Sequence, residues 1–245
     1  MTELSPAFIQ SIRIKREGVD EDAFPFCLPA LKGLQELDLN PQVTFFVGEN
    51  GSGKSTLLEA IAVAAGLSAQ GGTRNMRLDD SAGCSPLSEH MTLIRGVRRP
   101  RDSFFLRAES FFNVATLIDE VGAAGSYGGK SLHHQSHGES FLALVEHRFG
   151  NDGLFLLDEP EAALSPQRQL TFLAHFHALL SQGGQFIVAT HSPILLAYPE
   201  ATIYRFDDEG ISACAYDDLE HVHVTRDFLN NPARYLRHLL CNDDD

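Results

Sequence analysis

The 245-residue sequence predicts an α/β fold with a mainly parallel sheet, an antiparallel β edge and a small inserted subdomain. Three observations carry that expectation. Short apolar runs at 43–47, 154–157 and 185–190 are separated by stretches of helical periodicity, as parallel strands buried on both faces are when crossover helices join them. Those runs end in residues that chemistry can use: Gly48 after the first, Asp158 after the second and His191 after the third. Ligands of such sheets bind off the C-terminal ends of the strands, so these positions should converge. The third observation is the partial alternation of Phe8-Ile9-Gln10-Ser11-Ile12-Arg13-Ile14, the pattern of an antiparallel strand with one covered face.

The elements follow in order. After the first strand, the segment through Pro25, Pro29 and Pro41 reads as strand and turn. The apolar run 43–47 then enters Gly48-Glu49-Asn50-Gly51-Ser52-Gly53-Lys54-Ser55, a match to G-x-x-x-x-G-K-[ST], with Thr56 directly behind it. A strand that ends in such a turn and opens a helix aims consecutive backbone N–H groups at one point, where they cradle phosphate oxygens. Glycines serve there because side chains would block the phosphate and some turn positions need φ > 0. Lys54 reaches the β- and γ-phosphates, and Ser55 offers its hydroxyl to Mg²⁺.

Residues 54–65 read as a helix with Leu57, Leu58, Ile61 and Ala65 on one stripe and Gly66 as its stop. The stretch from 67 to about 103 is weakly patterned and rich in Gly, Ser and Arg, and is expected to be an irregular insertion extending to about 135, with the whole signature or lid region spanning 67–150. Inside it, Ser103-Phe104-Phe105-Leu106-Arg107-Ala108 reads as a strand that places Glu109 at its end. A run with five glycines, 122–129, leads toward a helix announced by the S-x-x-E capping box Ser136-His137-Gly138-Glu139 and ended by Gly150. After the run 154–157, Ser165 and Pro166 supply an N-cap and an N1 proline for a helix whose Leu170, Leu173, Phe176, His177 and Leu180 share a face. The strand 185–190, a hairpin turning at 207–210 and a final helix over about 225–240 complete one domain, 1–245.

Composition bounds the function classes. The formal net charge of −14 makes non-specific binding along nucleic acid or anionic lipid unfavourable for the surface as a whole. A local exception is Arg95, Arg98, Arg99, Arg101 and Arg107, with Arg74 and Arg77 upstream, a cluster that could meet phosphates or an acidic partner or be a solvated face. Cys27, Cys84, Cys214 and Cys241 form no C-x-x-C pair and read as reduced, buried thiols. With no run of eighteen apolar residues and no charged-then-apolar leader, a cytoplasmic protein is expected. His133, His134 and His137 lack the companions of a zinc site and read as loop residues.

A phosphate loop alone does not separate a kinase from a GTPase or an ATP-driven machine. The segment Leu154 to Pro160 narrows the choice: Asp158 at a strand end is placed to support Mg²⁺, and Glu159 beside it to accept a proton from a water attacking the γ-phosphate. Phe24 and Phe26, upstream of the loop, offer an apolar face for adenine or simply core packing.

The ordered series Gly48 to Ser55, Ser136-His137-Gly138-Glu139, Leu156-Leu157-Asp158-Glu159-Pro160, Ala163-Leu164-Ser165-Pro166 and Thr190-His191-Ser192-Pro193 resembles the motifs of ABC-type ATPases, within the P-loop NTPases. Within that superfamily it looks most similar to stand-alone bacterial ATPases related to SMC, RecF and OLD-nuclease heads. The resemblance implies that Gly48, Asn50, Gly51, Ser52, Gly53, Lys54, Ser55 and Thr56 hold ATP, that Ser55, Asp158 and Glu109 attend Mg²⁺, and that Lys54, Glu159 and His191 are catalytic. Glu159 is the implied general base and His191 the implied switch histidine at the γ-phosphate. Glu109 stands where the family has glutamine, Glu139 likewise, His137 where a second glycine is usual, and Ser165 where transporters carry an aspartate. Ser136 and Gly138 match the signature loop, which in this family touches the nucleotide of a partner subunit, so a homodimer formed on ATP binding is implied. Lys54 and Ser136 are 82 positions apart, too few for a long coiled-coil arm. Three roles stay open: an ATPase acting on DNA or a DNA-bound protein, a nucleotide-gated switch with slow hydrolysis, and the ATPase subunit of a transporter with a membrane permease as partner.

Overall fold

A computed structural model describes residues 6–73, 85–108 and 137–240. A three-stranded antiparallel sheet has β1 (Ile9–Ile14) at its centre, flanked by β2 (Glu36–Asp38) and β5 (Met91–Arg95). The main sheet holds β3 (Val43–Gly48), β4 (Gly72–Thr73), β6 (Asp102–Arg107), β7 (Gly153–Asp158), β8 (Gln185–Ala189), β9 (Thr202–Asp207) and β10 (Gly210–Cys214), in the spatial order β10-β9-β3-β8-β7-β6-β4. Its five inner strands run parallel, and β10 and β4 close it with antiparallel edges. This is the α/β architecture that the apolar runs predict. Register brings the C-terminal ends level: Gly48 pairs with Phe206, Phe46 with Ala189, Ala189 with Asp158 and Asp158 with Arg107.

Successive strand residues point to opposite faces, and two cores result. On one face Phe45, Val47, Phe155, Leu157, Phe186 and Val188 meet helices α2 (His137–Arg148) and α3 (Pro166–Ser181) through Phe141, Leu144, Phe172 and Phe176. On the other, Phe46, Phe105, Leu154, Leu156, Ile187 and Ala189 meet helix α1 (Lys54–Ala64) and β1. Phe176 lies 4.2 Å from the Phe186 ring centroid and 5.7 Å from that of Phe172, so truncating it to Ala costs roughly 3–5 kcal/mol in transfer and cavity energy.

A buried amide joins the two sheets. Gln185 Oε1 accepts the Phe8 and Ile9 N–H groups at 2.9 and 3.0 Å, and its Nε2 donates to the Ile9 and Asn40 carbonyls at 2.8 and 3.0 Å. With every valence met, the polar group is tolerated at 1 % exposure and fixes the register of the antiparallel sheet on the main one.

The structure departs from the sequence expectations in four places. The buried stripe of α3 is Gln169, Phe172, Phe176, Leu179 and Leu180, while Leu170 and His177 face solvent. The helix turns Gln169 inward because its amide donates to the Leu164 carbonyl at 3.1 Å and its carbonyl oxygen accepts the Ser192 hydroxyl at 2.5 Å. Beyond the short α4 (Pro193–Leu196), the expected single last helix is two, α5 (Glu220–Asn230) and α6 (Pro232–Leu240), because Pro232 has no N–H to continue α5 and Asn231 before it leaves the helical region, at φ −146° and ψ 66°. The stretch read as irregular supplies β5 to one sheet and β4 to the other, while β6 lies where a strand was expected. Cys27 is exposed and Cys214 half-buried, so neither is the buried thiol expected.

Candidate active site

The phosphate loop is built by sterics before any ligand binds. Gly48 has φ +155°, and a Cβ there would stand 2.3 Å from the Phe206 carbonyl oxygen, because β9 runs alongside in register. Gly51 has φ +83° with open space around it, so there the requirement is conformational alone. Gly53 precedes α1, whose first residues are Lys54, Ser55 and Thr56, and no side chain caps the helix, which leaves its leading N–H groups to the loop's ligand. Ser52 Oγ is buried and has no hydrogen-bond partner among the described residues, a donor waiting on the same loop. Asn50 lies on the exposed side of the turn.

Lys54 is 4 % exposed, and its ammonium donates to the Gly48 and Glu49 carbonyls at 2.7 and 2.8 Å. Burial pulls its pKa below the ordinary lysine range, while Glu159, Asp158, Glu49 and Glu161 oppose that shift and hold the charge. Across the sheet, Ser55 Oγ donates to Asp158 Oδ1 at 2.8 Å. Asp158 is itself steadied by Arg107, its in-register neighbour, whose Nε stands 3.7 Å from Oδ2 and whose Nη1 pairs with Glu59 at 2.7 Å. A hydroxyl and a carboxylate brought together beside a phosphate cradle are hard oxygen donors of the kind Mg²⁺ takes, with the remaining positions left to water and phosphate. The residues present therefore fit a nucleotide-bound Mg²⁺. Among the described residues no group of three His, Cys, Asp or Glu side chains could hold a metal by itself.

Glu159 sits at the end of β7 in the left-handed region, φ 51° and ψ 51°. That conformation costs a non-glycine residue on the order of 1–3 kcal/mol. The bond from the Glu159 N–H to the Ala189 carbonyl, 2.9 Å, and the proline-led turn Pro160–Ala163 that follows hold it there. The consequence is that the carboxylate leaves the sheet end toward solvent, with His191 Nε2 3.9 Å from its Oε1. His191 Nε2 is buried without a hydrogen-bond partner among the described residues. Burial first, then the Lys54 charge, lowers the His191 pKa, so the ring is neutral at pH 7 and presents one N–H.

Glu161, to which the sequence pattern assigns no role, is central to this corner. Its Oε1 accepts the His191 N–H at 2.6 Å, which ties the loop after β8 to the turn after β7. Burial raises its pKa above the usual carboxylate range. The signal was a second glutamate two residues beyond Glu159, close enough to share its turn. Beside these groups a cavity of about 670 Å³ opens between the phosphate loop, the end of β9 and α5, lined by Glu49, Asn50, His191, Phe206, His221 and Val224 among others. His221 was also missed, since nothing in the pattern of α5 sets it apart from surface histidines.

Other expected site residues are dispersed or lie elsewhere. Ser136 and Glu109, with Arg74, Arg77, Cys84, Cys241, His133 and His134, fall outside the described residues. Gly138 starts α2 and is buried where a Cβ would meet Arg168 Nη1 at 2.6 Å and the Ala163 carbonyl at 2.9 Å. Since α2 and α1 pack on opposite faces of the sheet, Gly138 and the phosphate loop are not neighbours through that core. Phe26 is core, edge-on to His90 at 5.5 Å, whereas Phe24 is exposed. Of the arginine cluster, Arg98 and Arg101 both pair with Asp152 and Arg107 serves Asp158; Arg99 faces solvent. No helix among the described residues is long and apolar enough to cross a membrane.

One family model, "AAA domain", matches residues 26–90, and another, "AAA domain, putative AbiEii toxin, Type IV TA system", matches residues 131–197. The chain is similar to the cytochrome c biogenesis ATP-binding export protein CcmA of Mesorhizobium japonicum, 31% identical over 170 residues that cover 62% of this chain and 80% of that protein. The protein of the same name from Rhizobium johnstonii is 30% identical over 165 residues, 60% of this chain and 74% of that one. Among solved structures, the SMC head domain from Thermotoga maritima aligns with a TM-score of 0.47 at 15% identity, over 84% of this chain and 98% of that one. CbiO1 from Clostridium perfringens, part of the ABC transporter complex cbiONQ, aligns with a TM-score of 0.46 at 19% identity, over 84% of this chain and 91% of that one.

Proposed function

Because the chain belongs to the ABC-type P-loop ATPases, enzymes that bind and hydrolyse ATP, we propose that hydrolysis is carried by Lys54, Ser55, Asp158, Glu159 and His191 at the C-terminal edge of β3, β7 and β8. The observation that carries this reading is the bond from Ser55 Oγ to Asp158 Oδ1, which brings two motifs 103 residues apart to 2.8 Å, with Glu159 strained into place beside them. Gly48 to Gly53 and the first turn of α1 bind the triphosphate through backbone N–H groups, with Ser52 and Thr56 hydroxyls at hand. Lys54 supplies a fixed positive charge to the β- and γ-phosphates. Ser55 and Asp158 would hold Mg²⁺, which neutralises charge developing between those phosphates. Glu159 orients a water in line with the γ-phosphorus and takes its proton, while the neutral His191 ring donates its N–H to a γ-phosphate oxygen. Water attacks phosphorus, the bond to the bridging oxygen breaks, and ADP and phosphate leave. Glu109, two positions beyond Arg107 in the sequence, would attend the metal and the water. Phe24, exposed and upstream of the loop, is the remaining aromatic for adenine now that Phe26 is core.

The site is read as half of a composite one. Gly138 and the start of α2 pack against Ala163 and Arg168, on the sheet face away from α1, which supports Ser136 and Gly138 reaching the nucleotide of a second copy rather than their own. Residues 1–245 then act as one ATPase head that closes as a two-fold dimer on ATP. The names of the curated relatives favour a second reading, in which this head drives a membrane permease. For the DNA-contact reading, Arg98 and Arg107 already pair with Asp152, Glu59 and Asp158, whereas Arg99 and Arg101 stay open to solvent. Phosphate release by the purified chain with Mg-ATP tests the assignment: Glu159→Gln should bind ATP and lower turnover at least about 100-fold. Turnover within a few-fold of wild type in that variant removes Glu159 from the role.

A further inference from the structure

His221 enters the site from the far end of the chain. It sits in the first turn of α5, and α5 faces the phosphate loop across the cavity that Glu49, Asn50, His191 and His221 line together. His221 Nε2 is buried and has no hydrogen-bond partner among the described residues, as is true of His191 Nε2 in the same cavity. Two imidazole nitrogens withheld from water at one place, both unsatisfied among the described residues, point to a ligand that satisfies them. The rings are near enough to interact electrostatically, and burial lowers the pKa of each, so both present a neutral N–H. The charged neighbours limit what that ligand is. Arg205 is occupied by Asp207 at 2.9 Å, and no metal-binding group of three occurs among the described residues, so neither a free anion at Arg205 nor a cation explains the pair.

We propose that His221 is a further nucleotide contact, whose ring N–H donates to a terminal phosphate oxygen of bound ATP next to the oxygen served by His191, so that α5 distinguishes ATP from ADP. The inference rests on the ATP-site reading above. It adds a contact from the C-terminal helices, downstream of every motif that identified the site. ADP has no γ-phosphate, so the contact exists in one nucleotide state only. Glu49 is the competing partner: its charge opposes the pKa shift of His221 and lies on the same wall.

Titration calorimetry on the full chain carrying Glu159→Gln, with Mg-ATP and Mg-ADP in parallel, tests the proposal. Adding His221→Ala should weaken ATP binding about tenfold, the loss of one hydrogen bond to a charged group, while the ADP dissociation constant stays within about twofold. His221→Gln, which keeps a side-chain N–H, should recover most of the ATP affinity, and retained ADP binding shows that both variants are folded. Equal weakening of both nucleotides, or no change in either, overturns the proposal and leaves the ATP site standing, with His221 serving Glu49 instead. If the parent chain binds neither nucleotide, the ATP-site reading itself fails and this contact with it.

Discussion

Gly48→Ala is the substitution whose cost the structure sets most directly. A Cβ built on Gly48 lies 2.3 Å from the Phe206 carbonyl oxygen, 3.0 Å from Phe206 Cβ and 3.1 Å from Ser52 Oγ. Ordinary contact begins at 3.4 Å, so about 1 Å must be found, and the atom in the way is backbone of the paired strand β9. Overpacking of that kind costs roughly 1–3 kcal/mol, and the φ of +155° adds roughly 1–2 kcal/mol for a residue with a side chain. The expected loss is therefore about 2–5 kcal/mol, a large share of the roughly 5–15 kcal/mol of a typical domain. Gly51→Ala is the control: its φ is +83° but a Cβ meets nothing within 4 Å, so only the conformational cost of roughly 1 kcal/mol remains. Urea unfolding of both variants without nucleotide separates the two contributions. A Gly48→Ala chain within about 0.5 kcal/mol of wild type, or a Gly51→Ala chain destabilised more than Gly48→Ala, refutes the reasoning.

Two further outcomes follow from the corner around His191. Glu161→Ala removes the acceptor of the His191 N–H, 2.6 Å away, and should lower phosphate release about tenfold while leaving ADP affinity unchanged; Glu161→Gln keeps an acceptor and should lose less. An equal fall in ADP affinity would show that Glu161 supports the whole site rather than His191. His191 and His221 both have folded pKa values below 6.5, so the unfolded chain binds protons first as pH falls, and the stability they contribute is complete above about pH 7 and lost as pH drops through 6.5. Unfolding free energy measured from about pH 7.5 to 5.5 should thus decline, and decline less in His191→Gln; an unchanged slope in that variant contradicts the assignment.

Much of the site was legible in the sequence because its parts are punctuated locally. A glycine-rich turn after an apolar run, a carboxylate pair after another and a histidine after a third mark strand ends without reference to the rest of the chain, and the parallel sheet sets Phe46, Ala189 and Asp158 side by side, with Gly48 two residues further along β3. What was not legible depends on distant partners. Gln169 turns inward on α3 because Ser192 and the Leu164 carbonyl meet its amide, which no helical periodicity records. Arg107 read as part of a basic patch, yet its place beside Asp158 follows only from the β6–β7 register. Gln185 opened a buried strand as an apparent polar exception, and its four bonds to the antiparallel sheet appear only when β1 is in place. His221 reaches the phosphate loop through the packing of α5, 170 positions downstream of Gly51.

The proposed mechanism requires that ATP close two copies of this chain over shared sites. Light scattering on eluting Glu159→Gln, loaded with Mg-ATP, measures it most directly. A species of about twice the 26.9 kDa chain mass is expected with ATP, reverting to 26.9 kDa with ADP. A chain that stays at 26.9 kDa at high concentration while saturated with ATP contradicts it.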